Sequence, residues 1–178
     1  MPPLSASIAV ILGLQVAYTD LYARRVPNRV LLAAAVAGTV AMLALPSAST
    51  GLADAMAGLL LGLALLLPFH LIGWMGAGDV KLFSVLGLLL GGNALLPLWI
   101  IASLLSGVHA AAWIATKSGL LQGFIARSPA VIRAYTLVNE SSLIIKMKAS
   151  REGRTGIPYA TYLGIATLLV VFTGVSHG

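Results

Sequence analysis

Asp79 stands in Gly76-Ala77-Gly78-Asp79-Val80-Lys81, between two long apolar runs. A second acid, Asp20, closes another apolar run just ahead of Arg24-Arg25-Val26-Pro27-Asn28. An acid where membrane segments meet is costly to place and marks function by default. Two carboxylates at one membrane face could divide the work of hydrolysing an amide. One, ionised, activates water; the other, protonated, polarises the carbonyl. Close carboxylates share a proton because both cannot ionise cheaply. Asp79 is expected near a helix N-terminus, where the dipole favours charge, and Asp20 near a helix C-terminus, where it does not. On dipoles alone, Asp79 is the ionised partner and Asp20 the protonated one.

The neighbours have chemical and plain readings. Gly76 and Gly78 permit backbone conformations closed to other residues and let an extended substrate come close; the plain reading is a turn between helices. Val26-Pro27-Asn28 stops one helix and redirects the chain. Lys81 is two residues past Asp79, so the two do not share a helix face; it reads as an anchor to lipid phosphate or a topology marker. His70 and His109 read as hydrogen-bonded packing residues, and Asp54 as a capping acid near a helix start. The chain has no Cys, and its histidines have no clustered acid beside them, so no metal is expected.

The elements that must hold the two acids are apolar segments. They run over Leu4–Tyr18, Val30–Leu45, Leu52–Ile72, Leu82–Leu90, Leu95–Thr116 and Ile157–Thr173. A spanning helix needs about 20 residues. The fourth segment is too short alone and needs Asp79–Lys81 and Gly91–Leu96 to reach across. Fused with the fifth it would make a helix about 50 Å long, against a hydrocarbon core of about 30 Å. Gly91-Gly92-Asn93 is a turn signal, so two helices in a hairpin are expected.

Composition agrees. Of 178 residues 59% are hydrophobic and 9% charged, whereas soluble domains carry about 25% charged residues. The solvent for this surface is lipid. The net charge of +6 is placed as in a membrane protein, not as in a nucleic-acid binder. With six spans, Arg24, Arg25, Arg29, Lys81, Lys117, Arg127, Arg133, Lys146, Lys148, Arg151 and Arg154, all 11 basic residues, fall on one face. That face is cytoplasmic by the positive-inside rule; both termini then face outward, and Asp20 and Asp79 lie on the cytoplasmic side. The expected fold is all-α: one integral-membrane domain over residues 1–178, about six transmembrane helices, and one larger cytoplasmic loop near residues 117–156. Within that loop, Ser128 and Pro129 start a short interfacial helix carrying Val131, Tyr135 and Val138 on one face.

At these residues the sequence resembles the type IV prepilin peptidase family of GxGD membrane aspartyl proteases. The resemblance is carried by Thr19-Asp20-Leu21 through Val26-Pro27-Asn28, by Gly76-Ala77-Gly78-Asp79-Val80-Lys81-Leu82, and by Arg154 through Ile157-Pro158-Tyr159-Ala160. It implies an inner-membrane endopeptidase of bacteria. Such an enzyme cuts the basic leader from prepilins or pseudopilins after a Gly, at the cytoplasmic face. Asp20 and Asp79 match the family's catalytic aspartates; Arg24, Pro27, Asn28, Gly76, Gly78 and Lys81 are the expected supporting residues. The chain lacks the Cys-containing cytoplasmic domain of the large bifunctional members, so the resemblance does not carry their methyltransferase activity. The compact form looks more like the small peptidases of tight-adherence (Flp-type) pilus systems. No cofactor is expected; the expected partners are the prepilin substrate and the bilayer, and no nucleic acid.

Two other readings keep the same residues. A small proton-coupled transporter would use the acids as carriers, but transporters place such groups near the midplane, often in repeated halves. A non-catalytic subunit of a pilus or secretion machine would keep the fold without needing both acids.

Overall fold

A computed structural model of the protein describes residues 4–44, 51–117, 133 and 158–174. Among these, six helices form: α1 (Leu4–Ala23), α2 (Asn28–Ala44), α3 (Leu52–Leu71), α4 (Ala77–Leu90), α5 (Leu95–Lys117) and α6 (Tyr159–Thr173). A 3-10 turn, Gly92–Ala94, links α4 to α5. The expected hairpin is therefore present, with Gly91 at a φ of 85° closing α4, a conformation that suits glycine. The expected interfacial helix around Ser128–Val138 lies outside the described residues, apart from Arg133, which is helical.

The chain is an all-α polytopic membrane protein. Three stretches are long and apolar enough to cross a bilayer by length and composition: Leu4–Ala23, Leu52–Leu71 and Gly92–Ala115. The apolar helices α2 and α6 are shorter. Shortest of all is α4, with 14 residues, about 21 Å at 1.5 Å per residue.

The helix α4 forms the centre. From Leu82 to Leu90 every residue is buried. Its heaviest packing is with α3; α1, α2 and α6 also touch it. Lipid offers no hydrophobic drive between helices, so small residues and close backbones hold them together. Gly58 and Gly62, four apart on α3, lie against Gly87 and Ser84 of α4. A Cβ on Gly58 or on Gly87 would run into the other's carbonyl. On α2, Gly38 makes room for Leu89.

A second close contact joins α1 to α6. Gly13 of α1 and Gly164 of α6 face each other so tightly that a Cβ on Gly164 would strike the Gly13 carbonyl. The buried stripe of α1 runs through Ala6, Ala9, Leu12, Gly13 and Val16, and ends on Asp20. The periodicity that packs α1 therefore also aims Asp20 inward.

Several helix ends differ from the apolar segments. The first helix continues past Tyr18 to Ala23, and the fourth starts at Ala77 rather than Leu82. Both acids thus sit inside helical turns, because a polar residue in a terminal turn costs little when the helix end meets a polar cleft.

Candidate active site

Asp20 belongs to the last turn of α1, and its side chain is buried. Its carbonyl accepts the Arg24 N–H at 2.9 Å. Arg24 then takes a φ of 53°, the left-handed conformation that ends many helices, usually on glycine. An arginine held there is strained. Val26 and Pro27 redirect the chain as expected. The Pro27 carbonyl accepts the N–H groups of Val30 and Leu31 at 3.1 and 3.3 Å, which starts α2.

Asp79 lies in the first turn of α4. Gly76 precedes the helix with φ −70° and ψ 143°, and its carbonyl accepts the N–H of Asp79 at 3.1 Å. The two glycines of Gly76-Ala77-Gly78-Asp79 have steric reasons. A Cβ on Gly76 would lie 3.2 Å from Oδ2 of Asp79, and one on Gly78 would press on Val26 at 3.0 Å. The first glycine clears space beside the carboxylate. The second lets the loop after α1 lie against α4, which brings the two acids to one end of the bundle.

A cleft of about 520 Å³ joins them. All eight expected residues line it: Asp20, Arg24, Pro27, Asn28, Gly76, Gly78, Asp79 and Lys81, with Arg25, Val26 and Ala77 completing the wall. Lys81 is exposed and donates through Nζ to Oδ1 of Asn28 at 3.3 Å. Beyond the expected lipid anchor or topology marker, the side chain ties the start of α2 to α4.

The acids come from different helices and act on each other electrostatically. They share the cleft with the cations of Arg24, Arg25 and Lys81. Among the described residues no three His, Asp or Glu side chains converge as a metal cage would require. The arrangement brings two carboxylates to one cleft, the pairing that hydrolysis by one base and one acid requires.

Sequence reasoning missed the part played by α6. Thr161 donates to Oδ2 of Asp20 twice, from its backbone N–H and from its hydroxyl, each at 3.0 Å. The backbone of Ala160 interacts with the Asp79 carboxylate. Tyr159 meets Ser103 of α5 through their hydroxyls at 3.2 Å. The available signal was Pro158 opening an apolar run, which marks a helix start and hence a set of unpaired N–H groups. His70 behaves as a packing residue: its Nδ1 donates to the Met75 carbonyl at 3.0 Å and braces the turn between α3 and α4. Asp54 falls in the first turn of α3, as a capping acid should.

Comparison with curated proteins finds no match, and comparison with solved structures finds none. A match does come from the family model described as the type IV leader peptidase family, over residues 7–111. That stretch holds Asp20, the Arg24–Asn28 turn, Gly76-Ala77-Gly78-Asp79 and Lys81. With two acids meeting in one cleft at one end of a membrane bundle, and with the family's model matching more than half of its length, the chain belongs to the type IV leader peptidase family.

Proposed function

We propose that the protein is an aspartic endopeptidase in which Asp20 and Asp79 cleave the basic leader of a prepilin or pseudopilin, after a Gly, at the cytoplasmic face of a bacterial inner membrane. The observation that carries this reading is the meeting of Asp20 and Asp79, from two helices, in one cleft of a chain in the leader peptidase family. Charge supports the cytoplasmic side: Arg24, Arg25 and Lys81 line the same cleft, and cations collect on the inner face.

Hydrolysis by such a pair needs no cofactor. Water's oxygen bonds to the scissile carbonyl carbon as one carboxylate takes its proton. The other carboxyl gives its proton to the carbonyl oxygen. Collapse of the tetrahedral species breaks the C–N bond, and the departing nitrogen receives a proton from the pair. A substrate helix entering laterally beside α1 and α4 would leave its leader junction at the cleft. The pilus or secretion context supplies the substrate class, and the small peptidase of tight-adherence systems is the form this compact chain resembles.

The test is co-expression with a pilin bearing a Gly-terminated leader, followed by mass spectrometry of the pilin N-terminus. Wild type is expected to remove the leader. Asp20→Asn and Asp79→Asn are each expected to insert normally and to lose cleavage by about 10³-fold or more, as loss of half of an acid–base pair requires. Normal processing by either variant would sink the dyad.

A further inference from the structure

Thr161 turns two donors on a single oxygen. Its backbone N–H and its hydroxyl both lie 3.0 Å from Oδ2 of Asp20. Both residues are 7% exposed, so bulk water does not compete freely for these bonds. The hydroxyl has one proton and a second possible acceptor, the Ala17 carbonyl at 3.4 Å. The carboxylate is nearer, and a charged acceptor makes the stronger bond. The amide is shared with the Pro158 carbonyl at 3.2 Å, a three-centre arrangement common in the first turn of a helix.

An oxygen that accepts two donors has both lone pairs engaged. Oδ2 of Asp20 therefore has no place for an acidic hydrogen of its own. The first turn of α6 faces both acids: Thr161 donates twice to Asp20, and the backbone of Ala160 interacts with Asp79. The Thr161 hydroxyl adds to Asp20 a second donor from that turn.

We propose that Thr161 is a positioning residue that pins Asp20 through Oδ2 and leaves Oδ1 to take the proton from the attacking water. This rests on reading the dyad as a peptidase. Asp20 is then the base and Asp79 the acid, the reverse of the assignment from the dipoles of α1 and α4 alone. As water's oxygen bonds to the carbonyl carbon, Oδ1 of Asp20 receives a water proton. Asp79 gives its proton to the carbonyl oxygen. When the C–N bond breaks, Asp20 passes its proton to the nitrogen, and Asp79 recovers one from the hydroxyl as the carbonyl re-forms. Both carboxyls end as they began.

Thr161→Val keeps shape and amide and removes only the hydroxyl, whereas Thr161→Ser keeps the hydroxyl. Cleavage of a leader-bearing pilin by purified enzyme is expected to show kcat about ten- to a hundredfold lower for the valine variant, with KM within about twofold, as loss of one bond to a charged group predicts. The serine variant is expected within about threefold of wild type. A valine variant with wild-type kcat, a serine variant as slow as valine, or a change in KM alone would overturn the proposal. The contact is also read without catalysis. In protein carrying ¹³C at its aspartate carboxyls, the infrared carboxylate band lost in Asp20→Asn should shift in Thr161→Val and stay in Thr161→Ser. An unmoved band overturns the pinning whatever the activity. A shifted band beside a wild type that leaves every leader intact upholds the pinning and overturns the peptidase reading instead.

Discussion

The helices α4 and α5 are consecutive, both apolar, and joined by one short turn, yet they live in different solvents. From Leu82 to Leu90 α4 is buried throughout, while α5 beyond Ala102 presents Leu104, Val108, Trp113 and Ile114 outward. One helix has 14 residues and the other 23. A lipid-facing helix must match a hydrocarbon core of about 30 Å or distort the bilayer. A helix wrapped by its neighbours has no such obligation. The shortness of α4 follows from that freedom, and its consequence is the site. Ser103 and His109 of α5 already meet Tyr159 and Tyr162 in the first turn of α6, and α5 then runs on to Lys117. The acids at the ends of α1 and α4 thus sit short of the end of α5, in a recess where a cleft can form.

The largest effect that separates the two helices is a side chain at a glycine of α4. Gly87→Leu forces a branched chain into the Gly58 carbonyl, and backbone cannot yield as a side-chain tip does. The cost should exceed the roughly 1–3 kcal/mol of ordinary overpacking, and the variant should fail to give a monodisperse, folded species in detergent. Gly107 of α5 has open space where its Cβ would stand. Gly107→Leu should leave the melting temperature within a few degrees of wild type. Equal melting for both variants would dissolve the distinction between the helices.

Truncation gives the next effect. Phe83 is wholly buried at the heart of α4, while Ile114 of α5 is 60% exposed. Phe83→Ala should cost about 3–5 kcal/mol. Ile114→Ala trades one lipid-facing apolar group for a smaller one and should change stability by less than about 0.5 kcal/mol. Denaturation in mixed micelles reads both.

That contrast also marks what was legible in the sequence. Apolar segments of spanning length were enough for an all-helical membrane fold, and a turn at Gly91-Gly92-Asn93 for the hairpin. The acids were legible because charge is rare in such a chain, so Asp20 and Asp79 stood out, with a turn signal after the first and before the second. Which helix is central was not legible, since Leu and Val suit lipid and protein interior equally. The clue lay in spacing: Gly58 and Gly62 four apart, and Gly87 on the partner. Nor was Thr161 legible. A threonine near the start of an apolar run has many uses, and only the antiparallel contact of Gly13 with Gly164 sets it beside Asp20. Lys81 reads from sequence as a lipid anchor or topology marker because spacing rules out a shared face with Asp79 but cannot show that Asn28, fifty-three residues earlier, lies within reach.

The smallest effect concerns that lysine, the one exposed residue of α4 between Val80 and Leu90. At this point alone in that stretch α4 resembles α5. Its bond to Asn28 is 3.3 Å long and solvent-exposed, so it contributes at most about 1 kcal/mol. Lys81→Met keeps the aliphatic stem and removes the donor; Asn28→Ala removes the acceptor. Each should lower kcat/KM by about two- to fivefold through a looser cleft wall, with unchanged folding. If the bond is the reason, the double variant should be no worse than either single one, the signature of coupled partners in a mutant cycle. Additive losses would mean that Lys81 and Asn28 touch the substrate separately. A loss beyond about a hundredfold for Lys81→Met alone would bring the lysine into the chemistry of the dyad, and the exposed edge of α4 would then be as functional as its buried core is structural.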